Sequence, residues 1–168
     1  MITKLHDLFV LEIQDLYDAE KQITQALPQV MEAVSHPELL KGMEEHLMET
    51  EKQIKRLETL CHELGIEPQG KTCLGMEGII EESAELLQEN ESSPTLDAAI
   101  IAGAQKIEHY EIAGYGTAAA YAKQLGYDNA LNLLVTTLEE EKAEDEKLTN
   151  MAEVIINKQA GSHGEYAL

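Results

Sequence analysis

The chain has 168 residues, enough for one domain with a full hydrophobic core, and its apolar fraction of 43% is ordinary for a globular protein. Its formal charge of -20 repels phosphate backbones and anionic lipid, which argues against nucleic acid and membranes as partners and favours cations near the surface. Four prolines, no Trp and an abundance of Ala, Leu, Glu and Lys favour helix over sheet, so the expected class is all-α.

The opening Met1-Ile2-Thr3-Lys4-Leu5-His6-Asp7 becomes charged too early for a secretory signal, and no apolar run approaches the roughly 20 residues of a transmembrane helix. The expectation is a cytoplasmic protein whose two cysteines, Cys61 and Cys73, are reduced. A first helix is predicted from Ile2 to Val34, where Ser35-His36-Pro37 interrupts it, because proline disfavours helix for its predecessor. Pro37 suits the first turn of a second helix running to Leu64, and Gly65 suits a left-handed cap. A long connection from Ile66 to Pro94 follows, with a short helix over Glu77–Gln88. Ser93-Pro94 reads as an N-cap and first helical residue of a third long helix that ends at Leu125 before Gly126. A fourth long helix starts at Tyr127 or Asp128 and runs to Gln159, leaving residues 160–168 as a frayed tail. Two short turns make two antiparallel hairpins, and the long connection can cross the length of a bundle. This is the ferritin-like form of the four-helix bundle, occupying residues 1–159.

Bundle helices place apolar residues at alternating spacings of three and four. The first helix does so along Phe9, Ile13, Leu16, Glu20, Ile23, Leu27 and Val30, and breaks the pattern only at Glu20. The third does so along Ile101, Ala104, Glu108, Glu111, Tyr115, Ala118, Ala122 and Leu125, with breaks at Glu108 and Glu111. The fourth gives Leu131, Leu134, Leu138, Glu141, Asp145, Leu148, Ala152 and Ile155, with breaks at Glu141 and Asp145. The second helix has a broad stripe with two readings. One line runs Met43, His46, Thr50, Gln53, Leu57, Leu60, Leu64 with Glu49 beside it; the other runs Met43, Leu47, Thr50, Ile54, Leu57 and turns His46 sideways.

The breaks fall at about one level in all four helices, and Lys and Arg are missing from these lines. Carboxylates stripped of water cost several kcal/mol each unless compensated. Protonation, water, an open cleft or metal cations are the remedies. Two divalent ions would balance four carboxylates and accept oxygen and imidazole donors. The candidate metal ligands are Glu20, His46, Glu49, Gln53, Glu108, Glu111, Glu141 and Asp145, holding two ions of iron or manganese. Gln53 and Asp145 can equally hydrogen-bond a ligand. Overlaying the hairpins sets Glu20 over Glu111, Glu49 over Glu141 and Gln53 over Asp145. The Glu-x-x-His pair usual in di-iron bundles is missing: the second helix has the reverse His46-x-x-Glu49, and His109 sits about 100° round from Glu108. Glu139, Glu144 and Glu146 read as a solvated face, with Glu140 a possible exception. Tyr17 and Tyr115 lie near the site; they read as core filling, with a hydrogen bond to a carboxylate as the alternative, and Cys73 reads as structurally buried.

The segments Asp15-Leu16-Tyr17-Asp18-Ala19-Glu20, His46-Leu47 through Gln53, Lys71-Thr72-Cys73 with Met76-Glu77-Gly78, Glu108-His109-Tyr110-Glu111-Ile112-Ala113 with Tyr115-Gly116, and Leu138 through Asp145 to Leu148 resemble a known family. It is the ferritin-like bacterial stress-protein family that includes YciE and YciF, and the match runs over residues 3 to 158. The resemblance implies a rubrerythrin-like bundle, bacterial cytoplasm, a role under general or osmotic stress and a homodimer; it supplies no reaction. The readings are a metal-binding stress protein, a di-metal enzyme acting on oxygen or peroxide, and a metal-free structural or interaction protein.

Overall fold

The computed structural model describes residues 2–163, all helix and connection, with no strand among them. The elements are α1 (Leu5–Ala33), α2 (Pro37–Leu64), α3 (Leu74–Glu89), α4 (Pro94–Leu125) and α5 (Asp128–Met151). A π-helical turn (Ala152–Ile156) then leads into α6 (Asn157–His163).

Local chemistry sets most of these boundaries. Ser93 caps α4 by accepting from the Leu96 N–H at 3.2 Å, and Pro94 follows at the first turn. Gly65 and Gly126 end α2 and α4 with φ of 66° and 74°, a left-handed conformation that glycine adopts without a Cβ penalty. Two starts differ from expectation. α1 begins at Leu5 because the Asp7 carboxylate draws the Thr3 and Lys4 N–H groups, at 2.8 and 3.0 Å, into a cap. α3 begins at Leu74, ahead of Glu77, because the Cys73 thiol caps it from 3.4 Å. At the other end, helix persists through His163, past the expected fray at Ala160, and residues 164–168 lie outside the described residues.

Two apolar clusters show how the helices run. One gathers Phe9, Ile13 and Leu16 of α1, Leu57 and Leu60 of α2, Tyr115, Ala118 and Ala122 of α4, and Ala130 and Leu134 of α5. The other gathers Ile23 and Leu27, Leu39 and Met43, Leu96, Ile100 and Ile101, and Leu148 with Ile156. α1 and α5 therefore run from the first cluster to the second, and α2 and α4 run back. The four pack in the cyclic order α1–α2–α5–α4. The connection between α2 and α4 leaves from Ile66 beside the first cluster and arrives at Leu96 in the second, so it traverses the molecule.

The traverse is pinned at Cys73. Its N–H donates to Asp18 Oδ2 at 2.7 Å, and its buried thiol lies 3.3 Å from Asp15 Oδ2 and 3.0 Å from the Tyr110 hydroxyl. Tyr110 donates to the same Asp15 oxygen at 2.5 Å. Cys61 and Cys73 sit in different clusters, both as free thiols.

Candidate metal centre

Between the two apolar clusters lies a polar layer. Glu20, Thr50, Gln53, Glu108, Glu111 and Glu141 are each at most 2% exposed, and His46 and Glu144 are 6% exposed. The buried line of α2 is Met43, His46, Thr50, Gln53, Leu57, Leu60, which selects the reading that turns His46 inward.

The line of α5 differs from expectation. It is Ala130, Leu134, Thr137, Glu141, Glu144, Leu148, with Leu131, Leu138 and Asp145 set to one side. Ala130 and Thr137 face inward, and the bulkier Leu131 and Leu138 beside them pack at the flank. Glu144 is therefore buried in the layer instead of lying on a solvated face. The two hairpins contribute unequally: at equivalent 4-3-4 spacings α2 supplies His46, Thr50, Gln53 and Leu57, and α5 supplies Thr137, Glu141, Glu144 and Leu148.

One carboxylate oxygen from each of Glu20, Glu111 and Glu141 lies within 4.8 Å of the other two. Tyr115 donates its hydroxyl to Glu20 Oε1, and the Gln53 amide donates to Glu141 Oε1. Tyr115 is thus more than core filling, whereas Tyr17 turns away to Glu58 at 3.1 Å. Glu108 Oε1 stands 3.7 Å from His46 Nδ1. Burial pushes His46 down to about 4, with the Lys147 charge adding to the effect, so this is a neutral imidazole beside a carboxyl and not an ion pair. Five carboxylate oxygens, namely Glu20 Oε2, Glu108 Oε2, both of Glu111 and Glu144 Oε1, are buried without a hydrogen-bond partner.

Burial, then mutual repulsion, pushes Glu111 well above the ordinary carboxylate range, and burial chiefly does the same to Glu20. Glu108 and Glu141 also rise, again mainly through desolvation. Positive charge stays outside the layer. Arg56 makes a two-pronged pair with Glu140, at 2.7 and 3.0 Å, and donates to Thr137 at 2.7 Å. Arg56 escaped the reading of the sequence because it lies beside the inward line of α2. Glu140 is the exception among the outer glutamates, through this pair.

The remaining candidates lie at the margin. Glu49 is half-buried on α2. Asp145 faces the α4 flank, 3.4 Å from both His109 Nε2 and Gln105 Nε2. Gln53 points its amide nitrogen at Glu141 and, at 3.3 Å, at Glu140, so it supports carboxylates in this arrangement.

The fold and layer define an all-helical protein with an acidic interior between two apolar half-cores. The family described as "Domain of unknown function (DUF892)" matches residues 4–161, and the chain belongs to that family. It is 46% identical over 157 residues to Protein YciF of Escherichia coli K12, covering 93% of this chain and 95% of that protein. The crystal structure of the E. coli stress protein YciF aligns with a TM-score of 0.88 at 44% identity, covering 94% of this chain and 99% of that one. YcfI of Rhodopseudomonas palustris, described as a candidate structural protein, aligns with a TM-score of 0.85 at 44% identity over 88% of this chain and 94% of that one. The family resemblance carried by the sequence motifs therefore holds across the chain.

Proposed function

We propose that the chain is a ferritin-like four-helix bundle of the bacterial stress response that binds two metal ions, iron or manganese, in its acid layer. The observation that carries this reading is the set of five buried carboxylate oxygens without partners. An ionised carboxylate left so costs several kcal/mol, and Glu108 and Glu111 have no lysine or arginine paired with them to offset it. The donor set fits the group. Glu20, Glu111 and Glu141 would hold one ion, and Glu108, Glu144 and His46 offer donors for a second. An oxygen-rich set with one imidazole suits iron and manganese better than the softer thiolate-seeking metals.

A redox-active metal pair would supply chemistry toward oxygen or peroxide when bound. The chain's own residues do the positioning: Tyr115 fixes the free orientation of Glu20, and Gln53 fixes that of Glu141. The reading also places the protein in the cytoplasm as a homodimer, on the family resemblance. No described helix is long and apolar enough to cross a membrane. A solution-size measurement separates a dimer from a cage.

A rival reading keeps the layer metal-free, with its carboxyls protonated and the chain acting as a structural or interaction protein. The raised pKa values of Glu20 and Glu111 favour it, as does the description of YcfI. Elemental analysis of protein purified without a metal-affinity tag decides between them. The expected result is about two iron or manganese atoms per chain, enough to balance four carboxylates. Protein that is metal-free and refuses added iron and manganese would hand the case to the rival. Loaded protein is then assayed for oxygen and peroxide consumption, which tests for an enzyme.

A further inference from the structure

At the edge of the acid layer, between α2 and α5, stands a partly exposed lysine. Lys147 Nζ donates to Glu45 Oε2 of α2 at 3.0 Å and to Glu144 Oε2 of α5 at 3.2 Å. The lysine side chain is 41% exposed, and that of Glu144 is 7% exposed. Glu144 thus has one oxygen on the surface cation, and its other oxygen, Oε1, is buried without a partner. Inside, Glu144 is near enough to Glu108 for its charge to be felt there. Lys147 is near enough to His46 to disfavour its protonation. Glu49, half-buried one turn along α2 from Glu45, adds another carboxylate to the same edge.

The other basic groups nearby are engaged differently: Lys41 pairs with Glu45 Oε1 at 3.4 Å from the exposed side of α2 and does not reach Glu144. Arg56 is held in a rigid two-pronged pair by Glu140. Lys142 pairs with Glu139 within α5 on the exposed face. Lys147 is a compact charge on a flexible stem, which swings away from a carboxylate more readily than a forked guanidinium does.

We propose that Glu144 is the carboxylate through which a divalent cation passes from the surface into the acid layer, and that Lys147 is the exchangeable cation closing that mouth. This rests on the metal-binding reading. A doubly charged ion arriving at Glu45, Glu49 and Glu144 outbids the Lys147 ammonium for Glu45 Oε2 and Glu144 Oε2, while Lys41 stays on the other Glu45 oxygen. The lysine moves into solvent, and the second oxygen of Glu144 already faces inward to take part in the transfer. A monovalent ion has no such advantage, so the exchange favours divalent cations.

The test is manganese uptake by the full chain after chelator stripping, followed by loss of the free Mn²⁺ signal in electron paramagnetic resonance. Circular dichroism confirms that each variant is folded. Lys147→Met is expected to speed uptake on the order of tenfold, and Glu144→Gln to slow it by a similar factor, within the range that local charge exerts on association. Lys147→Arg keeps the charge and stays within about twofold of the unmodified chain. Lys142→Met removes a lysine from the same helix away from the mouth and serves as the charge-matched control, also within about twofold. Lys147→Met behaving like Lys142→Met, or Glu144→Gln taking up manganese at the unmodified rate, overturns the proposal and leaves the metal centre standing. If neither the unmodified chain nor Lys147→Met takes up manganese or, in a parallel anaerobic titration, ferrous iron, the metal-binding reading falls with it. Uptake by Lys147→Met alone supports both.

Discussion

Glu111 has both carboxylate oxygens buried and unpartnered, and Glu108 has one. Each holds its place at a cost to the metal-free fold that an amide of the same shape would relieve. Keeping a carboxyl neutral at pH 7 from an ordinary value near 4.5 costs about 3 kcal/mol. Glu111→Gln, and the double change with Glu108→Gln, should therefore raise the stability of chelator-treated protein by about 1–3 kcal/mol. The same changes should remove most bound metal and leave helix content unaltered. Denaturant melts beside metal analysis check both halves; full metal occupancy in the double variant would remove these two from the ligand set. Glu20, Glu108, Glu111 and Glu141 were legible in the sequence because each interrupts an otherwise unbroken apolar line. Glu144 was not, since spacings of three and four compete at every turn and Leu131 and Leu138 drew the line one residue aside. The bond from Tyr115 to a carboxylate was legible only as the second of two readings, because a tyrosine in an apolar line fits the core with or without a polar partner.

Among the helices, α1 packs tightly on α4 at Gly114, where a Cβ would stand 2.7 Å from Leu16 Cδ2. The contact lies one turn from Glu111 and brings Glu20 and Glu111 to the same level. Gly114→Val should cost about 1–3 kcal/mol by overpacking and lower metal occupancy by parting the two helices. Gly116 lies on the same helix and faces open space, so Gly116→Ala should cost nothing and gain up to about 1 kcal/mol from helix propensity. Thermal melts and metal content of both variants form the check, and equal behaviour would show that the close approach does not set the layer. The four long helices were legible because Pro37, Gly65, Ser93-Pro94 and Gly126 mark their ends. The π-helical turn was not: its wider turn carries the buried line from Leu148 past half-buried Ile155 to fully buried Ile156, and no residue type announces it. Cys73 as a helix cap was equally silent, because thiols are not among the usual caps.

For the molecule as a whole, the layer ties stability to pH. The folded-state pKa values of the buried glutamates are raised, Glu141 to about 7 and Glu108 to about 11, mainly by desolvation. The metal-free fold therefore binds more protons than the unfolded chain. The stability linked to those protons is full below the ordinary glutamate value and is lost as pH rises through the folded values. Asp7 and Glu45 have lowered values, through bonds from the Thr3 backbone and Lys147 respectively, and act in the opposite sense, losing stability only at acid pH. Chelated protein should become easier to melt between about pH 5 and 8, and protein loaded with manganese should lose less over the same window, because the ions take the place of the protons. Melting curves across that window test this, and parallel behaviour of the two forms would separate the layer from metal.

The position of the acid layer between two apolar clusters also fixes how the helices align along their length. If α1 slid by one turn, about 5.4 Å, Glu20 would enter a cluster built around Leu16 and Ile13 or one built around Ile23 and Leu27. There it would meet only hydrocarbon, at a cost of several kcal/mol. The apolar lines alone, repeating every three or four residues, would tolerate such a slip. The least favourable residues in the interior are thus the ones that give the chain a single alignment.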